Sequence, residues 1–186
     1  MADINSELLS RHRALPDQRP GSDAPADAKP QLMAFVELLF FAYRDFTREA
    51  DAILAEYALG RAHHRVLHFV NRNPGLRVAD LLDILKITKQ SLARVLKELV
   101  DEGWIVQMAG ETDRRQRLLH ATDKGAALSS RLDAMQARRV AQALEAAGGN
   151  RDLVARFLFA MITKEERAPV EMLLPGPVEA AASPRK

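Results

Sequence analysis

The stretch 79-ADLLDILKITKQSLARVLKELVDEGWI-105 decides how this chain folds. Its second part sets Leu92, Val95, Leu96, Leu99 and Val100 at the i, i+3, i+4, i+7, i+8 spacing that gathers apolar side chains on one face of a helix. Thr88 suits the N-cap of that helix and Gly103 its C′ position. Before it, Val78 to Leu85 reads as a shorter helix, and Lys86, Ile87 and Thr88 leave room only for a tight connection. Two helices joined in this way form a helix-turn-helix, whose second helix can enter the DNA major groove.

With the apolar stripe turned inward, Lys89, Gln90, Ala93, Arg94 and Lys97 face outward, with Thr88 and Ser91 at the helix start. Long donors around a small residue suit base edges and phosphates. An ordinary solvated helix face has the same composition, so the residues that follow must discriminate. Trp104 to Met108 and Arg115 to Ala121 read as strands around the turn-prone Ala109 to Thr112, which predicts a β-hairpin. Arg114, Arg115 and Arg117 fall at or just after its tip, where a guanidinium can reach the negative potential of a minor groove. Asp113, two residues before Arg115, can orient that side chain through a charge-assisted pair; the plain alternative is an exposed salt bridge worth ~0 to 1 kcal/mol. The expected unit is a winged helix-turn-helix.

Working outward, 61-RAHHRVLHFVNRNPG-75 reads as a helix with Val66, Leu67 and Val70 inward, stopped by Asn73, Pro74 and Gly75. Gln31 to Tyr57 has neither Gly nor Pro, and 31-QLMAFVELLFFAY-43 is apolar on nearly every side, more than one partner layer covers. Past the hairpin, Thr122 caps a helix carrying Leu128, Leu132, Met135, Val140 and Leu144. Gly148, Gly149 and Asn150 separate it from one more, with Leu153, Val154, Phe157, Leu158, Met161 and Ile162.

The predicted fold is mainly α with a small β-hairpin wing. Residues 1–30, with Pro16, Pro20, Gly21, Pro25 and Pro30, form a flexible arm, and 165–186, with Pro169, Pro175, Pro177 and Pro184, a flexible tail. Between them lies one domain, 31–164, with the winged helix-turn-helix at about 60–122 and flanking helices at about 31–57 and 122–164.

Composition agrees with one globular domain: 186 residues, 47% hydrophobic, 28% charged and only 5% aromatic, so that aliphatic packing dominates. A net charge of +2 makes any attraction to nucleic acid a matter of where the bases sit. The absence of cysteine excludes disulfides, thiolate zinc sites and thiol oxidation sensing, and favours the cytoplasm. The N-terminal residues lack a signal-peptide core, and no segment offers the ~18 uncharged apolar residues of a membrane span, so a soluble protein without a membrane partner is expected.

From Ala79 to Ile105 and on through 113-DRRQRLLHATDKG-125, the order of residues resembles the MarR family of bacterial winged-helix regulators. Asp113, Arg115, Thr122, Lys124 and Gly125 match the family pattern, while Ala121 stands where leucine is usual. The resemblance spans about Gln31 to Ile162, and 60-GRAHHRVLHFVNRNPG-75 with 87-ITKQSLARVLKEL-99 are most similar to the PetP-type members of alphaproteobacteria.

The resemblance implies a homodimer built from the first and last helices, with recognition helices in successive major grooves ~34 Å apart on pseudopalindromic promoter DNA. The residues add their own reason: Leu32, Phe35, Val36, Leu39 and Phe40, with Leu153, Phe157, Leu158 and Met161, exceed what a thin monomer core needs. It also implies a small-molecule effector between dimer helices and winged domain, with Phe41, Tyr43, His64 and Trp104 as neighbours, unless these four simply pack.

His63, His64 and His68 share one helix, and His64 with His68 has the i, i+4 spacing of a metal- or haem-binding pair. Without a third ligand the metal case is weak, local hydrogen bonding or packing near the dimer seam is the preferred account, and no metal or cofactor is expected. His120, Asp123 and Ser129 could be drawn as a triad, yet no nucleophile elbow, phosphate loop or HExxH motif orders them, so no enzyme is expected. The expectation is a sequence-specific, ligand-responsive DNA-binding transcriptional regulator acting as a homodimer; the alternative is a winged-helix adaptor without specific DNA binding.

Overall fold

The computed structural model describes residues 29–110 and 116–176. The arm expected over 1–30 falls outside them except for Lys29 and Pro30, which already belong to helix α1, Lys29–Ala55. Proline is tolerated there because first-turn N–H groups have no acceptor inside the helix. α1 ends before Tyr57, the expected limit, because Ala58 turns left-handed at φ +56° and Leu59 N–H returns to Leu54 O at 3.0 Å. That six-residue closure satisfies the last carbonyls, with alanine where glycine is usual.

Residues 29–41 form one compact unit, and the remainder, from Ala42 onward, forms another. The second unit holds α2 (Arg61–Arg72), β1 (Leu76–Arg77), α3 (Val78–Leu85), α4 (Lys89–Asp101), β2 (Ile105–Ala109), β3 (Arg117–Ala121), α5 (Asp123–Ala146), α6 (Arg151–Ala160) and α7 (Lys164–Leu173). The three strands form an antiparallel sheet in the order β1-β3-β2, with Leu76 opposite Leu119 and Ile105 opposite Ala121. The two-residue β1 was not foreseen, being too short to show alternation. Gly75, at φ +83°, starts it by giving its N–H to Leu119 O at 2.9 Å.

Local signals set the helix ends. Thr88 Oγ1 accepts Ser91 N–H at 3.1 Å, Thr122 Oγ1 accepts Gly125 N–H at 3.1 Å, and Asn150 Oδ1 accepts Leu153 N–H at 3.0 Å. Gly103 adopts φ +74° after α4, as its predicted C′ position requires. Lys86, also left-handed at φ +50°, makes the turn between α3 and α4.

The core is aliphatic. Val66, Leu67 and Val70 of α2 meet Leu81 and Leu85 of α3, Leu92, Val95, Leu96 and Leu99 of α4, Ile105 and Leu119 of the sheet, and Leu128, Leu132 and Met135 of α5. Ala121, in place of the usual leucine, is half-buried against this cluster. Val140 is exposed, so the inward stripe expected along α5 does not run its full length.

The expected tail from 165 is corrected, because Lys164–Leu173 is helical despite Pro169. Glu165 and Glu166 sit in its first turn, where carboxylates offset the positive helix end. Arg167 spans back to Ile162 O at 3.0 Å and Ala160 O at 2.8 Å, satisfying the end of α6, and Glu166 meets Lys86 at 3.1 Å. Among the described residues no helix is long and apolar enough to cross a membrane.

Candidate nucleic-acid interface

α4 buries Leu92, Val95, Leu96 and Leu99, each at most 4% exposed, and turns Lys89, Gln90, Ser91, Ala93, Arg94 and Lys97 to solvent. Thr88, exposed as well, uses its hydroxyl twice, accepting Ser91 N–H and donating to Ser91 Oγ at 2.8 Å. Lys97 is paired with Asp101 one turn on. Both partners are exposed, so the pair is screened by solvent and a phosphate can displace the carboxylate.

Glu98, between these donors in sequence, points elsewhere. Its Oε2 lies 2.6 Å from His63 Nε2, while His63 Nδ1 accepts Gly60 N–H at 3.1 Å. One imidazole, accepting at Nδ1 and donating at Nε2, therefore fastens the start of α2 to the recognition helix. Sequence reading missed this link, since His63 and Glu98 are 35 residues apart.

In the wing, Gly110 N–H bonds Gln116 O at 3.1 Å and Ala109 pairs with Arg117, which is exposed. Asp113, Arg114 and Arg115 lie outside the described residues.

Of the expected dimer residues, Leu32, Phe35, Val36 and Phe40 of α1 are 39 to 69% exposed and Leu39 is half-buried. Leu153, Phe157 and Leu158 of α6, with Met161 after it, are 45 to 57% exposed. So much apolar surface is unusual for a chain that acts alone.

His64 and His68 have ring centroids 6.4 Å apart, and His68 Nδ1 lies 3.0 Å from Asp133 Oδ1. With Tyr43, Phe46, Asp51 and Arg61 they line a cavity of about 410 Å³. Trp104, read either as their neighbour or as packing, is buried in the core at 3% exposure, and Phe41, like Tyr43, is exposed. Among the described residues no three His, Asp or Glu side chains converge as a metal site would require. Ser129 of the imagined triad is buried, and its hydroxyl meets no base among the described residues.

Burial first, and then the neighbouring His68, lower the pKa of His64. Below pH ~6.5 the unfolded chain therefore binds more protons than the folded one at this position, so stability falls as pH drops through that value toward the lowered folded one. His64→Gln is expected to flatten this part of the curve. Urea midpoints of both proteins between pH 7 and 5 test it, and parallel curves would refute it.

A helix-turn-helix followed by an antiparallel wing, with a basic outer face on the second helix, defines a winged helix-turn-helix protein. The sequence profile of the MarR family matches residues 59–116. The HTH-type transcriptional regulator PetP of Rhodobacter capsulatus is 49% identical over 118 residues, 63% of this chain and 71% of that protein. The chain belongs to the MarR family and is a MarR-type transcriptional regulator. Solved structures share the fold. Streptococcus pneumoniae FabT in complex with DNA has a TM-score of 0.57 at 16% identity, covering 75% of this chain and 89% of that one. NadR in complex with 4-hydroxyphenylacetate has a TM-score of 0.58 at 21% identity, covering 81% and 99%.

Proposed function

We propose that this regulator binds pseudopalindromic promoter DNA as a cytoplasmic homodimer, without catalysis, and represses by occluding the promoter. The observation that carries this is the division of α4 into a fully buried apolar face and an exposed face bearing Lys89, Gln90 and Arg94. Thr88, Ser91, Ala93 and Lys97 complete the major-groove surface, while Arg114, Arg115 and Arg117 serve the minor groove with Asp113 orienting Arg115. The apolar residues of α1 and those from Leu153 to Met161 meet a second copy, with 31–164 as the working domain. A small amphipathic effector enters beside His64 and His68, in keeping with the acid bound to NadR.

DNA fragments selected by the purified protein, titrated at several salt concentrations, test the reading. A recurrent inverted repeat with a steep salt slope supports it, whereas no enriched sequence would point to an adaptor. Arg94→Ala is expected to weaken binding by ~1 to 3 kcal/mol if it contacts a base, and to lower the salt slope by about 1 if it contacts phosphate. Neither change would remove Arg94 from the interface.

A further inference from the structure

Where α4 ends, three successive backbone carbonyls, those of Glu102, Gly103 and Trp104, are taken by the residues that open α5. Lys124 Nζ donates to Glu102 O at 2.9 Å, Thr122 Oγ1 donates to Gly103 O at 2.7 Å, and Thr122 N–H donates to Trp104 O at 3.1 Å. A helix C-terminus is the negative end of its dipole and has orphan acceptors, so a lysine there is doubly favoured. The same ammonium lies 3.7 Å from the Trp104 ring centroid, within cation–π range.

Trp104 is held in place under it. Its indole N–H donates to Glu102 Oε2 at 3.1 Å, and its ring meets Tyr57 edge-on at 5.2 Å. Arg131 of α5 then reaches back to Glu56 at 2.8 and 3.0 Å and to the Tyr57 hydroxyl at 3.5 Å. Gly125 allows the approach, since a Cβ there would stand 2.1 Å from Trp104 O.

We propose that Thr122, Lys124 and Gly125 are positioning residues, clamping the end of the recognition helix to α5 and so setting the spacing of the DNA half-sites that the regulator accepts. This rests on the homodimer reading above, in which α6, the helix that follows α5 in the chain, meets the second copy together with α1. The angle at which α4 leaves α5 then decides how far apart two recognition helices stand, and DNA accepts only separations near its helical repeat.

The test is selection from a library of duplexes carrying the regulator's half-site twice, separated by spacers of varied length. The wild-type protein is expected to prefer one spacing. Lys124→Met, at an exposed helical position, is expected to flatten that preference by about threefold while keeping the same half-site bases, and Lys124→Arg, which can still stack and donate, to restore it. A Lys124→Met profile identical to wild type would overturn the clamp alone. A wild-type protein indifferent to spacing would overturn the proposal through the dimer reading beneath it.

Discussion

Gly125→Ala is expected to destabilise the protein by about 3 kcal/mol or more, at the upper end of what overpacking usually costs. In an exposed helix the same change would stabilise by up to ~1 kcal/mol, because alanine loses less backbone freedom on folding. Here the new Cβ would fall 2.1 Å from Trp104 O and 3.2 Å from Leu67 Cδ1. The oxygen cannot retreat freely, because it accepts from Thr122 N–H and lies 3.3 Å from Thr122 Oγ1. Either the start of α5 moves away from the recognition helix, or Trp104 leaves a site where it is 3% exposed. Thermal melting should show Tm lowered by roughly 6 to 12 °C for a chain of this size. A Tm within ~2 °C of wild type would show that the joint yields, and would also weaken the clamp.

Leu158→Glu is expected to convert the proposed dimer to monomer and to lower affinity for a two-half-site operator by about 10² to 10⁴-fold, the scale lost when linked binding becomes independent. Leu158 is 53% exposed within one chain, so the change should leave the helical circular dichroism of each copy intact. Against a second copy, the carboxylate would be an unpaired charge in an apolar seam, which costs several kcal/mol. Phe40→Glu in α1, at 69% exposure, should act likewise. Sedimentation gives the mass and titration of the operator gives the affinity. A variant that remained dimeric would remove Leu158 from the interface, and a monomer with undiminished affinity would refute dimeric recognition.

Much of the site could be read because its determinants are local. The apolar face from Leu92 to Leu99 and the Thr88 cap lie within one helix, so the outward position of Lys89, Gln90 and Arg94 follows from a period of 3.6 residues. Spacing could not show that Lys97 would pair with Asp101 or that Glu98 would turn to His63, because both depend on side-chain choices among near-equal partners. Trp104 was open to two roles for a related reason: an aromatic beside a predicted wing fits a ligand pocket or a core, and the packing of α5 against it settles on the core.

The sequence by itself determined the helix-turn-helix, the hairpin and the caps at Thr88, Thr122 and Asn150, because periodicity and capping act over three or four residues. Only the tertiary structure decided the third strand, the helix at Lys164–Leu173 and the joint between Trp104 and Gly125. β1 exists because Leu119 offers it a partner, α7 is tied by Glu166 to Lys86, and Gly125 is required by a carbonyl 21 positions before it. Each is a contact between segments distant in the chain, whose strength depends on distance and direction in space and leaves no period in the order of residues.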